Sequence, residues 1–600
     1  MKRVNFILWI LLTLILFSCT AATSTDVLVY SGEPEGIMAA IAAAREGADT
    51  VLVMERKYPG GLMTAGGLNY LDLNYGPEGN VLNRGLFHEW YQKMGSELTF
   101  SPEKAIDVFN KMLAEEDKLT VYRNFDLEKV KVDKNQVKNL EFASDKKNIQ
   151  FNPDAVIDAN ADADLATAAG SPFYVGNRDL GMDGDTMAVT LNIPLDGVNW
   201  KSLQHTAKSD KYGPTSIDST HAWGFIKLGD MYNPDNENIR LRGLNIARIP
   251  ETDTVYINGM LIFGVDPLQE KSLNRAHRMG KKEAEHVLEF LKKEVPAFKN
   301  ASLLSFPEEL YVRESRHLQS ISQLQTEDLF YGRIPEDTAA LGSYPLDYQA
   351  FRKEYQGFVL FDPPVYGVPF RSLVPPDISN LLVVGRSSGY SSLAAASARV
   401  LPTGMSAGET AGRAGAFESN FHKLIEDEKK LDLLQDKSDI NPDQYDSKPI
   451  ISDNNAADSI NFLISWGLVI GGYNNDFRLK EPIKEYNFSQ LILKGLKRRQ
   501  ASILYEWVPG SLETLSENKE LTRDRAAMLL LAAASKRVRE MDPSTYYRKA
   551  RQEGLISDTA HKEIVDKEIL DRKSAFILAA EFLNRYPIPG ELESLRENQN

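Results

Sequence analysis

The feature that most constrains the fold of this chain is the segment of residues 26–56, DVLVYSGEPEGIMAAIAAAREGADTVLVMER. A β-branched run precedes the turn SGEPEG, an alanine-rich stretch of high helix propensity follows it, and TVLVM is a second strand-forming run. Strand, turn, helix and strand in this order predict a dinucleotide-binding βαβ unit, in which the turn and the helix N-terminus face a pyrophosphate. Glu55 follows the second strand about twenty residues after the turn, where an acidic side chain pairs with a ribose.

The turn itself departs from the glycine-rich pattern G-x-G-x-x-G. Ser31 and Glu33 stand where the first two glycines would stand, and Gly36 is the intact third one. Gly36 lets helix and strand pack closely under the pyrophosphate, whereas Glu33 brings a negative charge towards it. On the turn alone, a strand-to-helix connection in another kind of α/β protein is an equally good interpretation.

The order of sequence patterns along the 600 residues predicts several folding units. The predicted fold class is α/β, with a Rossmann-type dinucleotide-binding domain, an inserted mixed α+β substrate domain and a C-terminal helical repeat domain. The boundaries predicted for these units are 26–170 and 370–425 for the Rossmann-type domain, 171–369 for the inserted domain, 426–453 for a charged, proline-containing linker, and 454–600 for the helical domain.

The N-terminal sequence predicts export. Lys2 and Arg3 precede an apolar run at residues 6–17 that is too short for a comfortable membrane span, so residues 1–19 are predicted to be a signal peptide. The run ends in LFSC, and Cys19 is the only cysteine in the chain.

That cysteine predicts a lipid anchor. Its context resembles a bacterial lipoprotein signal, with Phe17 as an atypical residue, and the alternative is an ordinary signal peptide with a chance cysteine. We therefore expect a protein anchored in the membrane through lipid on Cys19, at the periplasmic or outer-surface side of the cell envelope. A single thiol excludes intrachain disulfides and four-cysteine iron–sulfur clusters.

The net charge of −15 argues against a nucleic-acid partner, because phosphate binding needs clustered Lys and Arg. Two isolated histidines, His205 and His221, are interpreted as surface or structural residues, since neither has a second ligand at metal-binding spacing. No metal site is predicted.

Several collinear segments within residues 26–416 resemble the FAD-dependent oxidoreductase family related to heterodisulfide-reductase-like flavoproteins and, more distantly, to fumarate reductases. They are the opening βαβ segment, GGLMTAGGL, DAVIDANADADLATAAG, VRESRH, YPLDYQ, YGVPFRSLVP and the closing segment NLLVVGRSSGYSSLAAASARVLPTGMSAGETAG. The departures from the family pattern are Ser31, Glu33, Glu35, Asn160 and Ala161.

The resemblance implies that the cofactor is FAD. The helix that starts near Pro402 would aim its N–H groups at the flavin pyrimidine edge, where negative charge develops on reduction. The residues that the resemblance places at the cofactor are Gly32, Gly36, Glu55, Gly61, Leu62, Met63, Thr64, Gly66, Asp158, Gly385, Arg386, Arg399, Pro402, Thr403 and Gly404.

A dense cluster of charged residues is the main candidate for catalysis. Two arginines, an acid and an imidazole lie within VRESRH, and the alternative is a solvated, charged helix face. Asp347 and Tyr344, in YPLDYQ, are secondary candidates for holding a hydroxylated substrate. The predicted catalytic residues are Arg313, Arg316, His317 and Asp347.

Residues 456–585 resemble S-layer homology repeats. GLVIGGYNNDFRLKEPI is similar to the glycine turn and loop of such a repeat, and LTRDRAAM to its threonine–arginine motif. The resemblance implies binding of cell-envelope glycans. Because the first and third copies show IKEY and ILDR in place of the motif, a packing or assembly role is an equally good interpretation.

These observations together predict an oxidoreductase that transfers a hydride between a small organic substrate and flavin N5. An exported location suggests a carbohydrate or an envelope-derived metabolite as that substrate. The alternative is a non-catalytic, glycan-binding lipoprotein of the cell envelope with a degenerate FAD domain.

Overall fold

The computed structural model describes residues 22–500, 511–534 and 542–596. The predicted signal peptide and Cys19 lie outside these residues. No helix within the described part of the chain is both long enough and apolar enough to cross a membrane.

The first part of the chain contains the predicted βαβ unit and the strands that follow it. The strands are β1 (Thr23–Tyr30), β2 (Thr50–Met54), β3 (Leu119–Arg123), β4 (Asp126–Asp133), β5 (Gln136–Ala143) and β6 (Asn148–Asp158). The helices are α1 (Pro34–Arg45), α2 (Gly61–Thr64), α3 (Gly85–Lys93), α4 (Pro102–Ala114) and α5 (Asp164–Ala168).

The middle of the chain is rich in short strands. These are β7 (Phe173–Val175), β8 (Val189–Thr190), β9 (Ile193–Asp196), β10 (Thr215–Ile217), β11 (His221–Gly224), β12 (Ile239–Arg248), β13 (Val255–Ile262), β14 (Ser302–Leu303), β15 (Arg316–Leu318), β16 (Thr338–Gly342), β17 (Asp347–Tyr348), β18 (Phe358–Val359) and β19 (Tyr366–Pro369). The helices are α6 (Trp200–Lys208), α7 (Ile226–Met231), α8 (Glu270–Glu294) and α9 (Thr326–Tyr331).

One strand, β20 (Leu381–Val383), precedes a run of helices. These are α10 (Ser392–Ala398), α11 (Leu401–Phe417), α12 (Phe421–Leu424), α13 (Glu428–Lys437), α14 (Asn454–Ser465), α15 (Glu485–Arg498), α16 (Ser511–Leu515), α17 (Arg523–Ala534), α18 (Pro543–Gln552), α19 (Asp558–Ile564), α20 (Arg572–Asn584) and α21 (Gly590–Arg596).

The first sheet has the order β3-β2-β1-β6-β5-β4. Strands β3, β2, β1 and β6 are parallel, and β20 pairs in parallel with the end of β6. The hairpin of β4 and β5 adds antiparallel to the first half of β6. The second half of β1 and all of β2 are buried on both faces, as expected for a parallel sheet covered by helices.

The second sheet has the order β10-β11-β12-β13-β9-β14, with β8 beside β13, and its described pairs are antiparallel. It has its own hydrophobic core, to which α8 contributes Ala276, Ala284 and Val287, and this core extends along the chain from Val189 to Val312. Apolar side chains after it, from residue 324 onwards, pack in the core of the first sheet. The predicted limits of the inserted domain stay a prediction.

The predicted linker, residues 426–453, is not a solvated connection. It contains α13, whose Leu431 and Leu434 are buried in the same core as the first sheet. The two leucines are three residues apart, so they lie on one face of the helix, while Asp432 and Leu433 between them are exposed. The many charged residues of the segment led to its prediction as a linker, although one face of the helix is apolar.

The three C-terminal copies close on one another. The backbone N–H of Leu521 donates to Ile483 O at 2.8 Å, that of Leu570 to Leu521 O at 2.8 Å, and that of Ile483 to Leu570 O at 3.2 Å. Ile483 begins IKEY, Leu521 begins LTRDRAAM, and Leu570 is the second residue of ILDR. The repetition seen in the sequence therefore corresponds to a cyclic arrangement of three similar units.

Close contact between α1 and α11 organises the first domain. Gly408 and Gly412 face α1: a Cβ at Gly408 would lie 2.2 Å from Glu35 O, and one at Gly412 would lie 2.0 Å from Ala39 O. A side chain at either position would force the two helices apart. On the same helix, a Cβ at Gly415 would make only ordinary contacts, 3.4 Å from Val27.

Gly412→Ala is therefore expected to destabilise the protein by about 1–3 kcal/mol, because overpacking displaces α11. Gly415→Ala is the matched control, and it should stay within about 1 kcal/mol of wild type, since it adds helix propensity without a clash. Urea denaturation followed by circular dichroism measures both. Equal stability of the two variants would contradict this account of the packing.

Candidate functional site

The first of two adjoining cavities lies at the carboxyl ends of the parallel strands. It has about 630 Å³ of empty space, part of it open to solvent, and is lined by the loops after β1, β6 and β20 and by the start of α11. Ligands bind at this edge in open α/β sheets. Its lining includes Glu33, Glu35, Leu62, Ala161, Gly385, Arg386 and Leu401.

The N-termini of two helices meet at the first cavity. α1 begins at Pro34 and α11 at Leu401, and neither has a side chain that caps its first N–H groups. Because the free N–H groups and the helix dipole favour negative charge, this end of the cavity suits a pyrophosphate and the pyrimidine edge of a reduced flavin.

Glu55 supplies a test of whether a ribose fits. Its Oε1 accepts a hydrogen bond of 2.6 Å from Asn160 Nδ2, and its Oε2 is buried without a partner among the described residues. Burial raises the pKa of Glu55. A ribose hydroxyl donating to Oε2 would satisfy this buried atom. Asn160, a departure from the family pattern, thus orients the residue that the sequence predicts to hold the ribose.

Glu33 is neutralised by a neighbour that sequence reasoning missed. Its carboxylate pairs with Arg56 Nη1 at 2.9 Å, and Arg56 also pairs with Glu309 through Nε. Gly61 has φ +45°, and a Cβ there would lie 1.7 Å from Glu33 Oε2, so only glycine leaves room for the carboxylate. The acidic residue in the turn therefore carries its own counter-ion next to the expected path of the pyrophosphate.

Glu35 lies deeper in the same cavity. Burial raises its pKa to about 7, and the nearby charge of Glu33 adds to the shift. A Cβ at Gly385 would lie 3.7 Å from this carboxyl, and one at Gly404 would lie 2.4 Å from its Oε1. Glu35 can therefore be neutral near pH 7. With one acid paired and the other protonated, the residues present fit a dinucleotide.

The second cavity has about 660 Å³ of empty space, part of it open to solvent, and lies against the second sheet. It shares part of its wall with the first, namely Leu68, Tyr70, Asp72, Tyr311, Arg313, Arg399 and Val400. Its remaining wall comes mainly from β11, β12 and β13 and from the segment around β17. A group bound in one cavity is therefore next to a group bound in the other.

Two arginines are fixed in the shared wall by a tyrosine. The guanidinium of Arg313 lies 4.1 Å from the centre of the Tyr311 ring, and Arg399 Nη1 donates to Tyr311 Oη at 2.8 Å. Arg313 also donates to Ala188 O at 2.8 Å, and burial lowers its pKa to about 9. The two side chains place cationic donors at the junction of the cavities.

Asp72 and His221 are two titratable groups in the wall of the second cavity whose pKa values are shifted. Burial raises the pKa of Asp72 to about 6, and the charge of Asp347 adds to that shift while Arg399 opposes it. The imidazole of His221 stacks on Tyr70 with ring centres 3.9 Å apart, and burial lowers its pKa to about 4. At neutral pH the cavity therefore holds an ionised carboxylate and a neutral imidazole.

The sequence of residues 26–430 matches the family of FAD dependent oxidoreductases. Because this match covers more than half of the chain, the protein belongs to that family. It is an FAD-dependent oxidoreductase, and its cofactor is FAD. Among curated proteins, none matches this sequence.

Several solved structures are similar to the chain. A flavin-dependent brominase shares 10% identity and a TM-score of 0.36, covering 89% of this chain and 99% of its own. A geranylgeranyl bacteriochlorophyll reductase-like protein from Thermoplasma acidophilum shares 12% sequence identity with a TM-score of 0.34, and the match covers 73% of this chain and 92% of that protein. The L-proline dehydrogenase from P. horikoshii shares 11% sequence identity with a TM-score of 0.32, and the match covers 66% of this chain and 93% of the dehydrogenase.

Of the predicted cofactor residues, Leu62, Gly385, Arg386 and Arg399 line the first cavity. Gly36 packs tightly, since a Cβ there would lie 2.4 Å from Ser31 O. Gly32, Gly61 and Gly404 form the surrounding backbone, where added side chains would meet neighbours closely, and Pro402 is in the first turn of α11.

Other predicted cofactor residues lie outside the cavity lining. Asp158 is fully buried and accepts from the N–H groups of Asn160 and Ala166, so it holds the loop after β6 instead of contacting a ligand. Met63 is in the core. The remaining three make hydrogen bonds within the protein. Thr64 Oγ1 donates to Pro59 O, Asn192 Nδ2 donates to Gly66 O, and Asn74 Nδ2 donates to Thr403 Oγ1.

The predicted catalytic cluster is divided by the structure. Arg313 and Asp347 line the second cavity. His317 is fully buried against Glu314 and Tyr174, and Arg316 pairs with Asp164 at 2.7 Å; neither lines the cavities. Both residues are on the short strand β15, which pairs with β7 outside the cavity lining, and we correct their placement at the substrate.

Glu35 and Glu55 should affect FAD binding in opposite ways. Ionisation of Glu35 near pH 7 puts a charge beside the pyrophosphate, so the affinity of wild type for FAD should fall between about pH 6 and about pH 8.5, and Glu35→Gln should remove this fall. Glu55→Ala should weaken binding about ten- to a hundredfold at both pH values, because ribose loses a charged acceptor.

Fluorescence titration of the deflavinated protein with FAD measures these affinities. Glu128→Gln, an exposed acid on β4, is the control and should behave as wild type. An unchanged pH dependence in Glu35→Gln would show that this carboxyl does not face the cofactor. Wild-type affinity in Glu55→Ala would place the ribose elsewhere.

Proposed function

We propose that this enzyme oxidises a hydroxyl-bearing carbon of a carbohydrate-like substrate bound in the second cavity. The observation that carries the proposal is the wall of that cavity, in which carboxylates and guanidinium groups alternate with amides and aromatic rings. Carboxylates, guanidinium groups and amides bind hydroxyls, and tyrosine rings stack on the apolar faces of sugars. The residues concerned are Tyr70, Asp72, Arg242, Asn245, Tyr256, Asn258, Asp347 and Gln349.

The substrate would be held by fixed groups. Both oxygens of Asp347 accept from Gln349 Nε2 at 3.0 Å, and Arg313 and Arg242 both donate to Asn258 Oδ1, at 3.2 and 3.4 Å. These contacts orient the polar groups before a substrate arrives, so less entropy is lost on binding. The excess of guanidinium groups over carboxylates favours a sugar that carries a carboxylate, such as a uronate.

Asp72 is the proposed base. With its pKa raised to about 6, it is ionised at neutral pH yet basic enough to take the hydroxyl proton. FAD, when bound, would supply the hydride acceptor. Asp72 would take the hydroxyl proton as the C–H bond of the same carbon breaks with loss of hydride, so that the substrate leaves as a carbonyl compound. Arg399, at the junction of the cavities, stabilises negative charge on the substrate oxygen.

The test is anaerobic bleaching of the flavin by glucose, galactose, mannose, glucuronate and galacturonate. With the active sugar, the reduction rate of wild type should rise with pH around an apparent pKa of about 6 and then level off, because the base must be ionised. Asp72→Asn should slow reduction about 10²- to 10⁴-fold and abolish that profile.

His221→Gln and His205→Gln form a matched pair of histidine variants. His221 lines the cavity, so its replacement should weaken sugar binding, whereas His205 is exposed on α6 and its replacement should have no effect. If no sugar bleaches the flavin, the proposed substrate class is wrong. If Asp72→Asn keeps the wild-type rate and pH profile, another group is the base.

We further propose that the protein is exported and anchored by lipid on Cys19, with the C-terminal unit contacting cell-envelope glycans. The sole cysteine after the apolar run and the resemblance of residues 456–585 to S-layer homology repeats support this proposal. The non-catalytic alternative assigned the whole function to such glycan binding, and sugar-dependent bleaching of the flavin would exclude it.

Cys19→Ser tests the anchor, because it removes the acceptor of the lipid. The variant should appear in the soluble fraction of cells from which wild type sediments with membranes. Sedimentation of both proteins with membranes, with identical processing, would contradict lipid attachment at this residue.

A further inference from the structure

A turn of the C-terminal unit is fixed to the segment that borders the second cavity. The N–H of Gly471 donates to Leu360 O at 2.6 Å, and Gly472 forms a parallel bridge with Phe361. Asn475 then exchanges two hydrogen bonds with the backbone of Asp362, at 2.7 and 2.8 Å. Residues 471–475 therefore have a defined place, although they lie on the surface.

This attachment leads directly to the cavity wall. In the pairing of β17 with β18, Val359 is opposite Asp347, and Asp347 lines the second cavity. The next residues after β18 are those that hold the turn. The C-terminal unit is thus hydrogen-bonded to the segment that follows β18, and the partner strand of β18 contributes Asp347 to the cavity wall.

Tyr473 is at the tip of this turn, and its ring is 59% exposed. Partial burial raises the pKa of its phenol, and the charges of Asp347 and Asp72 raise it further, while Arg242 opposes them. All three of these charged residues line the second cavity. The phenol is therefore within electrostatic reach of the cavity interior while its ring faces solvent.

A second exposed tyrosine lies near the same cavity. Tyr75 is 48% exposed, and Ser343 Oγ accepts from its N–H and donates to its O, at 2.9 Å each. Its phenol influences the pKa of Tyr70, which lines the cavity. Aromatic side chains from two distant parts of the chain thus stand outside one polar cavity.

We propose that Tyr473 forms an outer subsite that stacks on a second ring of an oligosaccharide whose first ring occupies the second cavity. This inference rests on the proposed function. A large aromatic ring exposed on a fixed turn offers contact area at little cost in conformational entropy. The substrate would then be the end of a glycan chain, and the C-terminal unit would be part of the active site.

The experiment compares monosaccharides with their tetrasaccharides on the full-length holoenzyme, using glucose with cellotetraose, mannose with mannotetraose, and galacturonate with tetragalacturonate. The concentration dependence of anaerobic flavin reduction gives a dissociation constant for each sugar. In wild type the tetrasaccharide should bind more tightly, and Tyr473→Ala should lower this preference about tenfold, as expected for loss of one aromatic anchor.

Tyr473→Trp and Tyr486→Ala are the comparison variants. The tryptophan keeps a stacking surface and should retain the preference for the tetrasaccharide. Tyr486 is 49% exposed on α15 of the same unit, and its removal should leave the preference unchanged. Loss of the preference in Tyr486→Ala as well, or its persistence in Tyr473→Ala, would overturn the proposal.

Native electrophoresis in gels that contain cellulose derivatives, mannan or polygalacturonate reports binding without chemistry. Retardation of wild type but not of Tyr473→Ala, with no bleaching by any sugar, would support the subsite and reject the proposed reaction. Equal retardation of both proteins, or of neither, would reject the subsite, and bleaching by a monosaccharide would then leave the proposed reaction standing.

Discussion

The contact between α1 and α11 is the constraint on which the site depends. Glycines at every fourth position of α11, Gly404, Gly408 and Gly412, bring the backbones of the two helices together. Since Gly404 and Gly408 lie beside Glu35 and Gly412 lies beside Ala39, the helices run in the same direction and both N-termini point at the first cavity. Two helix dipoles therefore act on one bound group, and the loops after β6 and β20 complete the enclosure.

The same close packing explains how an acidic turn is tolerated. In the usual glycine-rich turn nothing but backbone approaches the pyrophosphate, whereas here Glu33 is held by Arg56 and Glu35 is buried with a raised pKa. Gly61 leaves the space that the Glu33 carboxylate needs. The charge that the turn introduces is thus reduced by Arg56, which Glu33 shares with Glu309, and by protonation of Glu35 near pH 7.

A feature of this molecule could be predicted from the sequence when the residues that determine it lie close together along the chain. The βαβ unit could be predicted because its determinants lie within residues 26–56. Asp72 was missed, and His221 was interpreted as a surface or structural residue, because the wall of the second cavity brings together segments that no local pattern connects. His317 was misplaced because the density of charges in VRESRH says nothing about which way each side chain of a strand points. Arg56 was missed for a related reason, since its partner Glu309 is remote in sequence.

The C-terminal unit is built from similar copies, and it also packs against the rest of the chain. Backbone hydrogen bonds among Ile483, Leu521 and Leu570 join its three copies. Similar units that associate in this way bury their apolar faces against one another. Yet its hydrophobic core is continuous with that of the first sheet, and Arg596 reaches across to Asp179 O at 3.0 Å. A module that only tethered the enzyme would need few such contacts. Extensive burial against the catalytic part instead fixes the turn at Tyr473 relative to the cavity, so that a residue far along the sequence can help to define what the enzyme binds.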